Sequence, residues 1–335
     1  MRLTGAHRRS RRLAAGLLIG SAIAAGILGL SVEKVPARIE IPSFDLPVAR
    51  EQGPFEAAFS AFASSAGRDP AGPALLVDLA AYEFGEHGFL PRIGAEGREP
   101  RKVFARRGDP ADGPRVALLL VEIGLDARSS AAALHTPGPI TLVVSPYAET
   151  AADWARGARW LGHEVLLEVP VRPARYPLED AGPLALGAEA GELRLLRDIL
   201  GRAVGYLGVA LEPGLFAANP EVFRPFAVEL AARGLVLVEL GSASLEGVAG
   251  ASGLPYLRAV GPVDAELSAQ AIDDALALLA SRAQERGGAI GFGRPFPITL
   301  ERLALWRDRL RARNIHLVGV GAFVDAARPT EDRNR

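Results

Sequence analysis

From Arg115 onward the chain alternates short, almost unbroken apolar runs with helical stretches, and this alternation limits the fold more than any other feature. The runs are RVALLLVEIG, ITLVVSP, EVLLEVP, YLGVALEP, LVLVEL, AIGFGRP and IHLVGVGAF. A strand with one wet face alternates apolar and polar residues, whereas these runs suit parallel strands covered on both faces. Between them, TAADWARGARWLG sets Trp154, Ala158 and Leu161 near one face of a helix, and AGELRLLRDILGRAVG spaces Leu193, Leu196, Ile199 and Leu200 at helical intervals. DAELSAQAIDDALALLASRAQERGG and TLERLALWRDRLRARN are longer amphipathic helices that open on residues suited to N-capping. Seven β/α steps over 115–327 predict an α/β fold, a distorted (β/α)7-type barrel, with an open doubly wound sheet as the alternative. No GxGxxG or phosphate-binding loop follows the first strand, so nothing supports nucleotide binding.

Upstream of the barrel the chain reads as an address and a connection. Residues 1–12, MRLTGAHRRSRR, carry five arginines and no acid, and Leu13–Val32 follows without a charge. Twenty helical residues reach about 30 Å, the thickness of a bilayer's hydrocarbon core. Arginines on its N-terminal side predict a single inner-membrane helix with the rest of the chain in the periplasm. The span's length favours a retained anchor, and small residues such as Ala24 and Ala25 leave open a cleaved, secreted form. Residues 33–86 are expected to be an extended, proline-punctuated linker containing a short helix at FEAAFSAFASS. Residues 87–114 are expected to form a hairpin lead-in with strand arms around Ala95-Glu96-Gly97, and 328–335 a disordered tail.

Composition narrows the chemistry. Cysteine is absent, which excludes disulfides, thiolate-bound zinc and thiol nucleophiles. Beyond the arginine-rich start the chain holds 33 basic and 39 acidic residues, a net of about −6, so a nucleic-acid partner is not expected. In parallel barrels chemistry sits where strands end. Those positions are Glu122, Ser145, Glu168, Glu212, Glu239 and Arg294, more charge than a rim needs for stability alone. The bland alternative is that strand ends reach water and collect polar residues anyway. Of the five histidines, His7 precedes the uncharged span and His87 the barrel. His135, His163 and His316 belong to the opposite rim, so a zinc site with an imidazole is not expected.

Longer strings carry a resemblance. GLDARSSAAAL, SPYAETAADWARGARWLGHEVLLEVPVRPARYPLEDAGPLAL, GYLGVALEPGLFAANPEVF and AIGFGRPFPITL, spread over about Leu90 to Ala322, resemble the divergent polysaccharide deacetylase family. The resemblance implies a barrel of the glycoside hydrolase/deacetylase kind, a carbohydrate or cell-envelope glycan as partner, and a metal-dependent deacetylase as the ancestral enzyme. It also implies that the working positions have changed. Val121 and Glu122 stand where paired aspartates are expected, Glu212 and Arg294 where histidines are, and Glu239 where an aspartate is.

Three functional readings follow. Glu122 and Glu239 would be the catalytic residues of a degenerate deacetylase, and Glu122, Glu212 and Glu239 the ligands if a divalent cation such as Mg²⁺ or Ca²⁺ is held by oxygen alone. Alternatively the chain binds or scaffolds envelope glycan without catalysis. Its groove would be Tyr147, Glu168, Arg172, Tyr176, Arg294 and Phe296. The third reading is a metal-free glycoside hydrolase built on two glutamates.

Overall fold

A computed structural model describes residues 78–109, 112–189, 191–241 and 244–327. The uncharged span Leu13–Val32, the linker helix and the tail 328–335 lie outside them. Among the described residues no helix is long and apolar enough to cross a membrane.

The strands are β1 (Tyr82–Gly85), β2 (Gly88–Pro91), β3 (Arg115–Ile123), β4 (Thr141–Val144), β5 (Glu164–Glu168), β6 (Gly208–Leu211), β7 (Val236–Leu240), β8 (Tyr256–Ala259), β9 (Gly288–Gly293) and β10 (His316–Val318). The helices are α1 (Pro100–Val103), α2 (Ala127–Leu134), α3 (Ala151–Trp160), α4 (Glu192–Leu200), α5 (Arg224–Ala232), α6 (Glu246–Ala251), α7 (Ala269–Arg286) and α8 (Pro297–Ala312). Strands β3 to β8 pair in parallel and in chain order, and β9 pairs β3 in parallel. The ring closes between β8 and β9 through an isolated bridge, Val260 to Gly291, so the fold is a parallel, nearly closed (β/α)7 barrel.

Two expectations about the strands need correcting. The seventh barrel strand is β8, not IHLVGVGAF. β8 escapes notice because its four residues, YLRA, include a charge and are only partly buried. β10 pairs the first residues of β3, on the edge that β4 takes further along. The hairpin is also elsewhere: β1 and β2 form it, while Ala95–Gly97 is a 3-10 turn and Pro100–Val103 is helical. Pro100 at the first helical position explains the latter, since its missing N–H costs nothing there.

Strand parity sorts side chains into two cores. Leu118, Leu120, Leu142, Val144, Leu167 and Leu237 face outward and pack with Leu134, Trp154, Leu196, Leu230, Leu276 and Leu303 of the helices. Ala117, Leu119, Val143, Leu166, Val238, Ile290 and Phe292 fill the lumen. Each fully buried leucine contributes about 1.5–3 kcal/mol, which is why runs apolar at both parities are needed.

Local signals start and stop the helices. Asp126 accepts a 2.7 Å bond from the Ser129 amide to cap α2, and Ser268 accepts from Ala271 to cap α7. Gly287, at φ 78°, ends α7 in the left-handed conformation. At the N-terminal end of the lumen, buried Glu164 accepts from the Arg106 amide (2.8 Å), the Gly321 amide (2.9 Å) and the Thr141 hydroxyl (3.2 Å). Val320 and Val324 join the inner core there, so this end is plugged and the C-terminal mouth is where chemistry can sit.

Candidate active site at the barrel mouth

The end of β3 is irregular. Pairing with β4 runs Leu119–Thr141 and Leu120–Leu142, then resumes at Ile123–Val144, one residue out of step. This β-bulge lets Val121 face the lumen and Ile123 face the helices, and it puts Glu122 at φ 63°. Bulges beside functional sites re-aim a side chain in this way. The turn that follows requires glycine at 124. Its φ is 98°, and a Cβ there would stand 2.5 Å from that of Ala148 and 2.9 Å from the Trp154 ring.

Parity then decides which strand-end residues share the mouth. Glu168 alternates with lumen-facing Leu166, Ser145 with Val143, Glu212 with Ala210, and Arg294 with Phe292. Burial pushes the Glu168 carboxyl above its ordinary range. The nearby Ser145 hydroxyl opposes that shift, and Glu122 and Glu212 add to it. Glu122 is also shifted upward, first by burial, with the Arg294 cation opposing and Asp264 and Glu212 reinforcing. Glu122 thus feels Arg294, Asp264 and Glu212, and Glu168 feels Glu122 and Glu212.

Asp264 is not legible in the sequence, because it follows β8, which lacks a continuous apolar run. It is fully buried; its Oδ2 accepts from the Arg294 amide (2.7 Å) and the Thr299 hydroxyl (3.1 Å). Oδ1 lies 3.9 Å from Arg294 Nε and has no hydrogen-bond partner. Gly293 permits this approach, since a Cβ there would stand 2.9 Å from Val263 and 3.4 Å from the Asp264 carboxyl. Asp264 thereby orients Arg294, whose guanidinium lies 5.1 Å from the Phe296 ring.

Glu239 does not join this group. It alternates with outward Leu237 and is fully buried on the helix side of β7. Its carboxylate accepts from the Ser244 amide and hydroxyl, the Leu245 amide (each 2.9 Å) and the Tyr256 hydroxyl (2.8 Å). It pins the entry to α6 and faces away from the lumen. The neighbouring Leu240 points inward, as do Val236 and Val238.

The groove residues divide in the same way. Arg172 pairs with Glu189 and with Glu192 (3.3 Å) and lies 5.1 Å from the Tyr176 ring, so its charge is spent within the loop after β5. The Tyr147 hydroxyl donates to the Ala181 carbonyl (2.5 Å) and accepts from the Leu184 amide (3.0 Å), tying the β4 loop to that same loop. Tyr176 is half exposed and presents a ring face to solvent.

The metal implied by the resemblance does not fit these residues. Among the described residues no three His, Asp or Glu side chains converge closely enough to hold an ion. Glu239, one of the three expected ligands, faces away, and Arg294 brings a cation to the mouth. Among the described residues no imidazole stands there: His87 lies in the β1–β2 turn, His135 ends α2, His163 precedes β5 and His316 opens β10. What the mouth can do is offer carboxyls whose upward shift favours the neutral, hydrogen-bond-donating form, together with one oriented guanidinium, to an acyl or acidic group.

A seven-stranded parallel barrel with an acid-lined C-terminal mouth places the chain among the (β/α) barrels. The chain belongs to the divergent polysaccharide deacetylase family, whose profile matches residues 119–324. The crystal structure of an uncharacterised protein from Agrobacterium tumefaciens is similar to it at 30% identity and a TM-score of 0.67, covering 70% of this chain and 99% of its own. A xylose isomerase domain-containing protein from Salmonella typhimurium matches at 11% identity and a TM-score of 0.33 over 62% of this chain and 98% of its own, too slight a likeness to bear on the fold. Among curated proteins no sequence matches significantly.

Proposed function

We propose that this chain is a deacetylase-like protein of cell-envelope carbohydrate metabolism that engages glycan at its barrel mouth without a catalytic metal. In this reading Leu13–Val32 anchors it in the inner membrane and the barrel works in the periplasm. One observation carries the proposal: the mouth keeps carboxyls and an Asp264-oriented Arg294 at its strand ends, while the positions that would ligate a metal hold Val121, an arginine and glutamates. The protein is then a metal-free binder descended from an enzyme. Arg294 would recognise acetyl or acidic groups, and Tyr176 would stack on sugar rings.

The test is calorimetry with acetylated and de-acetylated glucosamine oligomers and peptidoglycan fragments, together with metal analysis after loading with zinc, manganese and calcium. Glycan binding that survives chelator and falls at least about tenfold in Arg294→Ala is expected, as for loss of a charged hydrogen bond. About one tightly held metal per chain together with acetyl release would replace this reading with active metal-dependent deacetylation.

The raised carboxyls favour a second reading. Glu168, shifted upward by burial and within reach of the Glu122 charge, would serve as the acid, and Glu122 as the base or nucleophile, that glycosidic hydrolysis requires. Release of reducing ends that stops in both Glu168→Gln and Glu122→Gln would establish it, and intact oligomers after prolonged incubation would end it.

A further inference from the structure

A sizeable cavity lies at the opposite end of the barrel from the mouth. It measures about 560 Å³ and is bounded by α1, the loop after it, the end of α3 and the turn into β5. That volume is in the range that holds a small molecule. Its wall carries Arg98, Lys102, Arg106, Arg107 and Arg159 against a single acid, Glu99. His163 adds no charge, because burial pushes its imidazole pKa down and its Nε2 is engaged with the Leu134 carbonyl at 2.8 Å.

Some of this charge is answered locally. Arg98 pairs with Asp78, Arg106 with Asp109 (2.9 Å) and Lys102 with Glu99 (2.9 Å). Arg107 and Arg159 form no ion pair with a carboxylate among the described residues. Arg159 is the more telling of the two. Its Nη1 donates to the Phe104 carbonyl at 2.6 Å, its guanidinium lies 5.8 Å from the Phe104 ring, and its buried Nε has no hydrogen-bond partner. Holding a partly buried guanidinium without a carboxylate partner is costly unless an anion meets it. Such a fork matches carboxylate and phosphate oxygens, and the excess of positive charge favours the more highly charged phosphoryl group.

We propose that this cavity binds a ligand carrying a phosphoryl group, held by Arg159 and Arg107 among the neighbouring cations, with its uncharged body against Trp160. The site is independent of the barrel mouth and of what the mouth does. The same chemistry is offered by a soluble phosphate ester and by a phospholipid headgroup.

Titration of the full chain with pyrophosphate and glycerol phosphate, with glycerol as the uncharged control, tests the proposal. Flotation with phosphatidylcholine vesicles, with and without phosphatidylglycerol, separates the two sources. Saturable binding to either ester, or to the anionic vesicles alone, is expected, weakened at least about tenfold in Arg107→Glu and in Arg159→Gln. Arg107 is exposed, so Arg107→Glu keeps the experiment decisive if Arg159→Gln does not fold. No binding to esters or vesicles, or binding that Arg107→Glu leaves unchanged, overturns the proposal.

Discussion

Glu122 sits in the left-handed region, where a residue with a Cβ pays about 1–2 kcal/mol. Such strain persists where the surrounding structure imposes it, here through the bulge between Leu120 and Ile123. Glu122→Gly is therefore expected to raise stability by up to about 1 kcal/mol in urea unfolding, while Glu122→Ala, which keeps the Cβ, gives no such gain. Both should weaken glycan binding at the mouth. Glu168 supplies the pH dependence. Its folded carboxyl titrates above the ordinary value of 4.5 kept by the unfolded chain, so between the two values the folded state holds more protons. The stabilisation is complete below the unfolded value and is lost as pH rises through the folded one. Melting curves taken between about pH 5 and 8 should then fall less steeply with pH for Glu168→Gln than for the parent chain. An identical slope would show that Glu168 ionises normally.

Between elements, the same residue type serves two ends according to strand parity. Glu168 and Glu239 both lie at strand ends, yet one faces the lumen and the other binds β7 to the start of α6 and to Tyr256 of β8. Removing the Glu239 carboxylate strands two amides and two hydroxyls, and a buried donor left unpaired costs about 1–3 kcal/mol. Glu239→Ala should lose roughly 3 kcal/mol or more in chemical denaturation and leave glycan affinity unchanged. A fall in affinity at preserved stability would return Glu239 to the site. The parity was available in LVLVEL, where Glu239 stands two residues from Leu237. The bulge that inverts it for Glu122 was not, because it comes from how β3 fits β4.

At the scale of the whole molecule, closure is uneven. β3 is paired along both edges, while the β8–β9 seam rests on Val260 N to Ile290 O (2.9 Å), Phe292 N to Val260 O (3.2 Å) and Val263 N to Phe292 O (2.8 Å). Asp264 and Arg294 flank that seam, so motion there would alter the mouth directly. Hydrogen exchange is expected to be slowest at Leu119 and Leu120 and measurably faster at Val260 and Phe292. Equal protection across all four would mean that the barrel opens only as a unit.

The barrel itself was legible in the sequence, because parallel strands covered on both faces must be apolar at every position, and that signal is local. So were six of its seven strands and the strand-end placing of Glu122, Ser145, Glu168, Glu212 and Arg294. What only the tertiary structure decided is which of these residues meet. β8 carries too little apolar surface to announce itself, and Asp264 went unseen with it. The sidedness of Glu239 and the turning of Glu122 depend on strand register, and the cationic cavity gathers side chains from segments more than fifty residues apart. Burial leaves its mark in composition along the chain; convergence depends on pairing and closure, which join residues that no local pattern links.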